Sequence, residues 1–278
     1  SAYDSDLWIA YSLLEAARLW QRPDYREDAL RLLRNIETTL VVSLPGLGKM
    51  VLPGPEGFTQ PDHLWRLNPS YLPLPLLRRL AKEAPSGPWK EIAENTVKMV
   101  SASSPKGYVA DWIGYRATAP KAGLFVVDPV KGELGSYDAI RVYLWAGMTP
   151  RTDPLAAPLL ARLDGMSNST ASTGIPPEKV QVISGALEGQ GPFGYSAALI
   201  PYFQAKGQPW LAEQQQRRAE TALNAALAKA DGERVEPLYY NAMLSLFALG
   251  WAEKRYQFRD DGTLKLTWET SCTRAVTR

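Results

Sequence analysis

Residues 136–148 read Ser-Tyr-Asp-Ala-Ile-Arg-Val-Tyr-Leu-Trp-Ala-Gly-Met, and they carry only two charged side chains, Asp138 and Arg141. The pattern predicts a helix with Ser136 as its N-cap and Gly147 near its end. Because the other residues are almost all apolar or aromatic, we expect this helix to be buried. Residues three apart share one face of a helix, so the two charges lie within reach of each other.

This charged pair has two interpretations. It is a structural ion pair in a core, where burial is expensive unless the charges are well compensated. Alternatively, Asp138 lies at the floor of a cleft, with Tyr137 and Arg141 beside it. A neighbouring guanidinium favours the ionised carboxylate, so Asp138 would then act as a base rather than as an acid. The spacing alone does not decide between them.

Residues 136–141 also belong to a set of four motifs that occur in a fixed order. The other three are Ala-Tyr-Asp-Ser-Asp at 2–6, Trp-Arg-Leu-Asn-Pro-Ser-Tyr at 65–71 and Gly-Pro-Phe-Gly-Tyr-Ser at 191–196. Together they resemble family 8 of the glycoside hydrolases, in particular the cellulases of bacterial cellulose synthesis operons. The resemblance runs from residue 1 almost to residue 272.

The resemblance implies an endo-β-1,4-glucanase that acts with inversion on a β-1,4-glucan. By position in the motifs, Asp138 is the base, Arg141 keeps it ionised and oriented, and Tyr137 lines the site. Asp4 is the second predicted catalytic residue and hydrogen-bonds the sugar beside the scissile bond, although helix capping could also explain an aspartate there. An inverting enzyme also needs a carboxylic acid roughly 6.5–9.5 Å from the base.

The family's acid is a glutamate that lies ahead of the segment matching residue 1. Glu15 lies several turns into the helix that carries Asp4, and Glu133 and Glu188 lie in loops with no match in the family, so none is promoted to that role. We therefore expect the parent protein to be a glucanase, while this chain lacks the acid and is truncated at its N-terminus.

Aromatic residues are abundant, with nine Trp and 13 Tyr, and many fall near predicted helix ends and loops. Flat aromatic rings can stack on the apolar faces of pyranose rings, although core packing explains most aromatic residues. Residues 65–71 lie where a loop meets a helix start, a usual place for ligand contacts. The predicted substrate-binding residues are Tyr137, Arg141, Trp65, Asn68, Tyr71, Trp112 and Tyr239.

Hydrophobic periodicity predicts about nine helices, some apolar nearly all round and others polar on a broad outer face. They are residues 6–21, 25–41, 69–84, 88–102, 136–148, 154–163, 194–204, 209–230 and 238–252. Short extended pieces are predicted at 49–52, 107–112, 124–128 and 180–183, loops at 57–68 and 167–177, and a hairpin turn at Asp260-Asp261-Gly262.

An inner ring of buried helices inside an outer ring would explain this contrast. The family's fold is an (α/α)6 barrel of six helix pairs, with short β-hairpins or a small sheet at one end, and about three N-terminal helices would be missing here. Without a linker or compositional break, residues 1–278 are predicted to form a single catalytic domain.

Composition and net charge limit the classes of binding partner that we expect. A net charge of +2 gives no reason to expect nucleic acid or an anionic membrane, and no apolar run approaches the roughly 18 residues of a membrane span. The resemblance implies a periplasmic or secreted protein, with possible association with the cellulose synthesis machinery. We expect no cofactor and no metal ion. The one cysteine, Cys272, suggests either a partner in a missing segment or a free thiol.

Three alternatives stay open. The first is a glycan-binding fragment that does not cut. The second is a polysaccharide lyase on a similar helical toroid, which would use Tyr and Arg to abstract a proton next to a uronate. Such a lyase would call for a more basic groove than the near-neutral charge of this chain suggests. The third is a structural helical scaffold in which Asp138 and Arg141 form an ordinary buried pair.

Overall fold

The computed structural model describes residues 3–229 and 238–269, and this part of the chain contains ten α-helices. They are α1 (Asp4–Trp20), α2 (Pro23–Thr39), α3 (Leu74–Glu83), α4 (Trp89–Ser103), α5 (Ile140–Met148), α6 (Ala156–Ala161), α7 (Asp164–Thr173), α8 (Phe193–Ala205), α9 (Pro209–Ala228) and α10 (Leu238–Ala252). A 3-10 turn, Pro69–Tyr71, precedes α3.

The described strands form four small antiparallel sheets between the helices. The strands are β1 (Val41–Leu44), β2 (Gly48–Val51), β3 (Thr59–Gln60), β4 (Leu64–Leu67), β5 (Ile113–Ala119), β6 (Ala122–Val127), β7 (Leu134–Gly135), β8 (Pro177–Gln181), β9 (Leu187–Gln190), β10 (Tyr256–Phe258) and β11 (Leu264–Leu266). The sheets pair β1 with β2, β3 through β6 in order, β7 through β9 in order, and β10 with β11.

The helices pack as neighbouring pairs in two layers. Helix α1 packs on α2 and α3, α3 packs on α4 and α5, and α8 packs on α5, α9 and α10. Apart from Arg141, α5 is buried throughout, and α8 is almost as completely enclosed. Helices α2 and α9 each bury only one face. The predicted contrast between enclosed and half-exposed helices is therefore confirmed for α5 and α8.

Helices α5 and α8 approach closely because Gly147 has no side chain. A Cβ atom at position 147 would lie 2.2 Å from the backbone nitrogen of Tyr202 and 2.3 Å from the carbonyl carbon of Pro201. Gly147 lies inside α5 and makes this helix contact possible, rather than marking only the end of the helix. The close packing holds α5 firmly, and with it the turn at its N-terminus.

Helix α10 is apolar on all sides but only partly buried. One face packs on α8 and α9, and its buried residues include Asn241 and Leu244. The opposite face presents Tyr239, Leu246 and Phe247 to solvent. An apolar composition all round the helix therefore does not mean that every face is covered in the described structure.

Two predicted loops contain regular structure. The stretch 167–177 was expected to be a loop because it is rich in Ser, Thr, Asn and Gly, yet most of it lies in α7. Its hydroxyls bond to carbonyls within the helix, as Thr173 does to Ser169, while Ser167 and Thr170 are buried in tertiary contacts. The predicted loop 57–68 contains β3 and β4, whose hydrogen bonds come from each other and from distant β5.

The extended segments are partly shifted. Residues 107–112 form no strand, and β5 begins only at Ile113, where it pairs with β6. The hairpin predicted around Asp260-Asp261-Gly262 is confirmed by the pairing of β10 with β11.

Cys272 lies outside the described residues. Within the ranges described above, no helix has both the length and the apolar character that crossing a membrane requires.

Candidate active site

Asp138 lies in a turn that precedes α5, not inside the helix as the sequence predicted. Residues 136–139 form this turn, which we call the base turn, and α5 starts at Ile140. The prediction of Ser136 as the N-cap is wrong. Ser136 instead donates its backbone N–H and its hydroxyl to the Asp111 carboxylate, at 2.8 and 2.6 Å. Arg141 N–H donates to the Asp138 carbonyl at 3.2 Å, so the two residues stay adjacent.

Two side chains orient the Asp138 carboxylate. Arg141 donates Nη2 to Oδ1 at 2.9 Å, and Asn68 donates Nδ2 to Oδ2 at 3.2 Å. The side chains of Asp138 and Arg141 are 35% and 25% exposed. This charged pair is therefore accessible to solvent and is not the enclosed core pair of the structural interpretation.

Ser70 is hydrogen-bonded to both of these side chains, Asn68 and Arg141, and fixes their relative positions. It donates its N–H and its hydroxyl to Asn68 Oδ1, at 3.0 and 2.6 Å. Its hydroxyl oxygen accepts from Arg141 Nη2 at 2.9 Å, and its carbonyl accepts from Trp145 Nε1 at 3.0 Å. Asn68 caps the 3-10 turn, as expected for a residue at a loop–helix junction. The turn is thus tied to α5.

Asp4 approaches the same place from α1. It lies in the first helical turn, where the helix dipole favours a carboxylate. The N-cap of α1 is Tyr3, which makes no side-chain capping bond, so capping does not account for Asp4. Burial raises the pKa of the Tyr71 hydroxyl to about 12, and the charges of Asp4 and Asp138 add to this rise. Both carboxylates therefore act electrostatically on the same phenol.

We call Asp4, Asn68, Tyr71, Asp138 and Arg141 the carboxylate cluster. On one side of it stands Trp112, which packs edge-on against Tyr71 with ring centres 6.0 Å apart.

Two further groups hold the Trp112 ring. Phe58 stacks parallel to it at 5.7 Å, and the Arg66 guanidinium lies over it at 4.8 Å. Asp128 fixes Arg66 through two hydrogen bonds of 2.7 and 3.0 Å.

On the other side stands Tyr137, which is 41% exposed. Its hydroxyl donates to Glu178 Oε1 at 2.9 Å, and its ring packs edge-on against Tyr195 and Tyr240 at 5.4 and 5.6 Å. Tyr240 donates its hydroxyl to the Tyr137 carbonyl at 2.7 Å. Aromatic side chains therefore flank the cluster on both sides.

Two predicted residues are placed differently from the rest. Tyr239 is 78% exposed, and its neighbour Tyr240 makes the contact with Tyr137. Trp65 lies directly opposite Tyr115 in the sheet, so both point to the face on which Tyr115 is buried. Arg66, next in the strand, points to the opposite face and reaches Trp112.

The residues of the site that sequence reasoning missed include Ser70, Asp111, Glu178 and Tyr240. Ser70 lies inside a quoted motif, and the motif could have indicated it. No local signal links the other three to Asp138, because they come from separate segments of the chain. Among the described residues, no group of three His, Cys, Asp or Glu side chains is arranged to hold a metal ion.

The fold and this site define a class of protein. An accessible carboxylate, oriented by a guanidinium and an amide and flanked by aromatic rings, is suited to bind sugars and to activate water. It stands at the N-terminal ends of α1 and α5 in a two-layered arrangement of helices. These are the features of a carbohydrate-active enzyme on a helical ring.

The chain belongs to glycosyl hydrolases family 8, whose model matches residues 1–254. It is 53% identical over 285 residues to an endoglucanase of Pseudomonas fluorescens (strain SBW25), covering 100% of this chain and 71% of that protein.

Solved structures agree with this assignment. The endo-1,4-D-glucanase from Vibrio fischeri ES114 superposes with a TM-score of 0.85 at 39% identity, over 96% of this chain and 74% of that one. The endo-beta-1,4-glucanase CMCax from Acetobacter xylinum has a TM-score of 0.67 at 25% identity, over 90% and 70%. The predictions of the family and of an (α/α)6 barrel fold are confirmed.

Proposed function

We propose that the protein to which this chain belongs is an inverting endo-β-1,4-glucanase, with Asp138 as its general base. The observation that carries the proposal is the accessible Asp138 carboxylate, held by Arg141 and Asn68 between two groups of aromatic side chains. Family membership and the endoglucanase relatives support a hydrolase acting on β-1,4-glucan.

The geometry suits a base. Each carboxylate oxygen has two acceptor sites, and Arg141 and Asn68 use one on each oxygen. Acceptor capacity therefore remains for a water molecule. Asp138 would remove a proton from this water as its oxygen attacks the anomeric carbon from the face opposite the leaving group, giving the α-anomer.

The other members of the carboxylate cluster would bind the sugar. The Tyr71 hydroxyl is protonated at neutral pH, like that of any tyrosine, and burial raises its pKa further, to about 12, so it can donate a hydrogen bond. Asp4 is placed to accept hydrogen bonds from sugar hydroxyls, and Tyr137 and Trp112 offer aromatic surface for pyranose rings. Trp65 and Tyr239 stay predictions for more distant sugar contacts.

No general acid is assigned among the described residues. Glu15 is buried and accepts from Arg79, Arg18 and the backbone of Leu264. Glu133 accepts from the backbone of Ile183, and the Glu188 side chain is 73% exposed beside Lys179. From the sequence motifs, which contain no counterpart of the family's acid, we propose that this chain alone cleaves cellulose poorly or not at all.

A substrate with an activated leaving group tests this assignment. 2,4-Dinitrophenolate leaves with the bonding electron pair and needs no proton from an acid, so 2,4-dinitrophenyl β-cellobioside requires only the base. We expect the chain to release dinitrophenolate and α-cellobiose, followed by absorbance and early proton NMR, while carboxymethylcellulose stays intact.

Each contrary result has a clear meaning. Rapid turnover of carboxymethylcellulose would show that the chain contains an acid. If the chain binds cello-oligosaccharides but leaves the activated substrate intact, it is the glycan-binding fragment among the alternatives. With a uronate-containing polysaccharide as substrate, unsaturated products absorbing in the ultraviolet would indicate a lyase, which family membership disfavours.

We also propose that residues 1–278 belong to a single catalytic domain, because one cluster of buried side chains runs from Leu7 to Ala248. A periplasmic or secreted location and an association with the cellulose synthesis machinery are proposed from the sequence motifs. Fractionation of cells carrying the tagged parent protein tests the location, and its co-purification with the synthase tests the association.

A further inference from the structure

We propose that Asp111 is a positioning residue for the candidate base: its carboxylate clamps the base turn and sets where Asp138 stands. Asp111 lies in the segment between α4 and β5, and its backbone N–H donates to the Leu134 carbonyl at 2.8 Å. The proposal rests on the proposed function, because it concerns the base of that reaction.

The hydrogen bonds of Asp111 bracket Asp138 on both sides. Oδ1 accepts the N–H of Ser136 at 2.8 Å and the N–H of Ala139 at 2.7 Å. Oδ2 accepts the Ser136 hydroxyl at 2.6 Å. One carboxylate thus fixes the backbone two residues before Asp138 and one residue after it.

The base turn needs this partner. The first N–H groups of α5 are accepted by carbonyls of the base turn, but the N–H groups of Ser136 and Ala139 in the turn itself are accepted by the Asp111 carboxylate. Asp111 supplies this acceptor from a distant part of the sequence. Without it, buried N–H groups would be left unpaired and the turn could shift.

Asp111 and the two other partners of the base act on different parts of it. Arg141 and Asn68 hold the oxygen atoms of the carboxylate, whereas Asp111 holds the backbone that carries it. A displacement of a reacting group by about 1 Å can lower a rate about 100-fold. A shift of the turn would move the base relative to the attacking water while leaving Trp112 and Tyr71 in place. The Tyr137 ring keeps its separate contacts with Glu178, Tyr195 and Tyr240.

Burial makes this arrangement unfavourable for stability by itself. Asp111 is only 8% exposed, and all three donors to its carboxylate are uncharged. Burial raises its pKa, and the hydrogen bonds from Ser136 and Ala139 only partly offset this rise, while the nearby charge of Asp138 adds to it. A buried carboxylate without a cation in its hydrogen bonds fits a residue that serves the site.

The test uses the chain with 2,4-dinitrophenyl β-cellobioside and four variants. We expect Asp111→Ala to lower kcat about 100-fold and Asp111→Asn about tenfold, with KM within about twofold of the parent chain. Asn keeps one oxygen for the two backbone N–H groups, but a neutral acceptor is weaker than a carboxylate. Asp138→Asn gives the rate without the base.

Asp153→Asn is the matched control, because Asp153 is also buried and also holds the turn before a helix, yet it follows the C-terminal end of α5, whereas Asp138 precedes the N-terminal end. We expect it to lower stability and leave kcat unchanged. The pattern predicted for the Asp111 variants, a fall in kcat at constant KM that Asn partly rescues, would not arise from a general loss of stability.

Each outcome decides the question. If Asp138→Asn abolishes activity while both Asp111 variants keep kcat within twofold, the positioning role is wrong and the proposed function stands. If Asp138→Asn stays active, the base assignment itself fails. If Asp111→Ala does not fold, Asp111→Asn decides: an unchanged kcat contradicts the role, and a tenfold fall at constant KM supports it.

Discussion

Two buried aspartates, Asp111 and Asp153, each accept a backbone N–H in the turn before a helix, but only Asp153 is also paired with a cation. Asp153 is 4% exposed and accepts the Leu155 N–H at the start of α6, as Asp111 does for the base turn. Asp153 also accepts two hydrogen bonds of 2.8 Å from the Arg78 guanidinium. Asp111 receives only uncharged donors.

The difference appears in their titration. Burial by itself would raise the pKa of Asp153, but Arg78 and the Leu155 N–H outweigh burial, so the pKa is lowered. For Asp111 burial prevails, and the pKa is raised. The Arg78 guanidinium thus compensates the burial of the Asp153 carboxylate. Where the cation is lacking, the carboxylate is retained at the expense of stability, which is expected of a functional site.

The largest expected effect is a difference in stability: replacing Asp by Asn should lower the free energy of unfolding far more at position 153 than at position 111. Asp153→Asn leaves Arg78 without its partner, and breaking a buried pair in this way lowers the free energy of unfolding by about 3 kcal/mol. Asp111→Asn removes a carboxylate that burial already disfavours, so we expect a change of less than about 1 kcal/mol. Urea denaturation measures both values. Equal losses at the two positions would contradict the contrast.

The pH dependence of stability should differ in sign. The folded pKa of Asp153 lies below the unfolded value of about 3.9, so its contribution is present above that pH and is lost as the pH falls. The folded pKa of Asp111 lies above the unfolded value of about 3.9. Its contribution to stability is therefore fully present below the unfolded pKa and is lost as the pH rises through the folded pKa.

Unfolding free energies measured between pH 7 and pH 3 test these signs. Asp153→Asn should flatten the loss of stability in acid, and Asp111→Asn should steepen it. If Asp111→Asn flattened the acid loss as well, the pKa of Asp111 would be lowered rather than raised, and the contrast would disappear.

The smallest effect concerns two adjacent tyrosines, one in the site and one outside it. Tyr240→Phe removes the hydrogen bond to the Tyr137 carbonyl. Such a bond contributes about 0.5–1.5 kcal/mol, so KM for the activated substrate should rise about two- to tenfold. Tyr239→Phe should leave KM unchanged, because Tyr239 is exposed. A larger rise in KM for Tyr239→Phe than for Tyr240→Phe would contradict this assignment and support the sequence-based prediction of Tyr239 as a substrate-binding residue.

The sequence predicts the features that depend on local pattern. The pairing of Asp138 with Arg141 survives although the helix starts later than expected, because a turn brings residues three apart together as a helix does. The apolar run in α5 predicts its burial, and Asp260-Asp261-Gly262 predicts the hairpin. The motifs led to Asn68 and Tyr71, which the structure brings to Asp138 and Arg141.

Features that depend on tertiary contacts could not be predicted. Ser136 has the composition of an N-cap, but a carboxylate 25 residues earlier occupies its hydroxyl. Helix α10 is apolar on all sides, so periodicity cannot choose between Tyr239 and Tyr240. Trp65 was assigned to a loop, and only the pairing of β4 with β5 shows which way its side chain points.

The role of Asp138 is tested most directly by replacing the base and supplying a nucleophile that needs none. With 2,4-dinitrophenyl β-cellobioside, Asp138→Ala should lose about 100- to 10,000-fold in rate. Added azide should restore the rate, because an anion can occupy the emptied space and attack without losing a proton. We predict α-cellobiosyl azide as the product; undiminished hydrolysis by the variant, or formation of the β-azide, would contradict Asp138 as the base of an inverting enzyme.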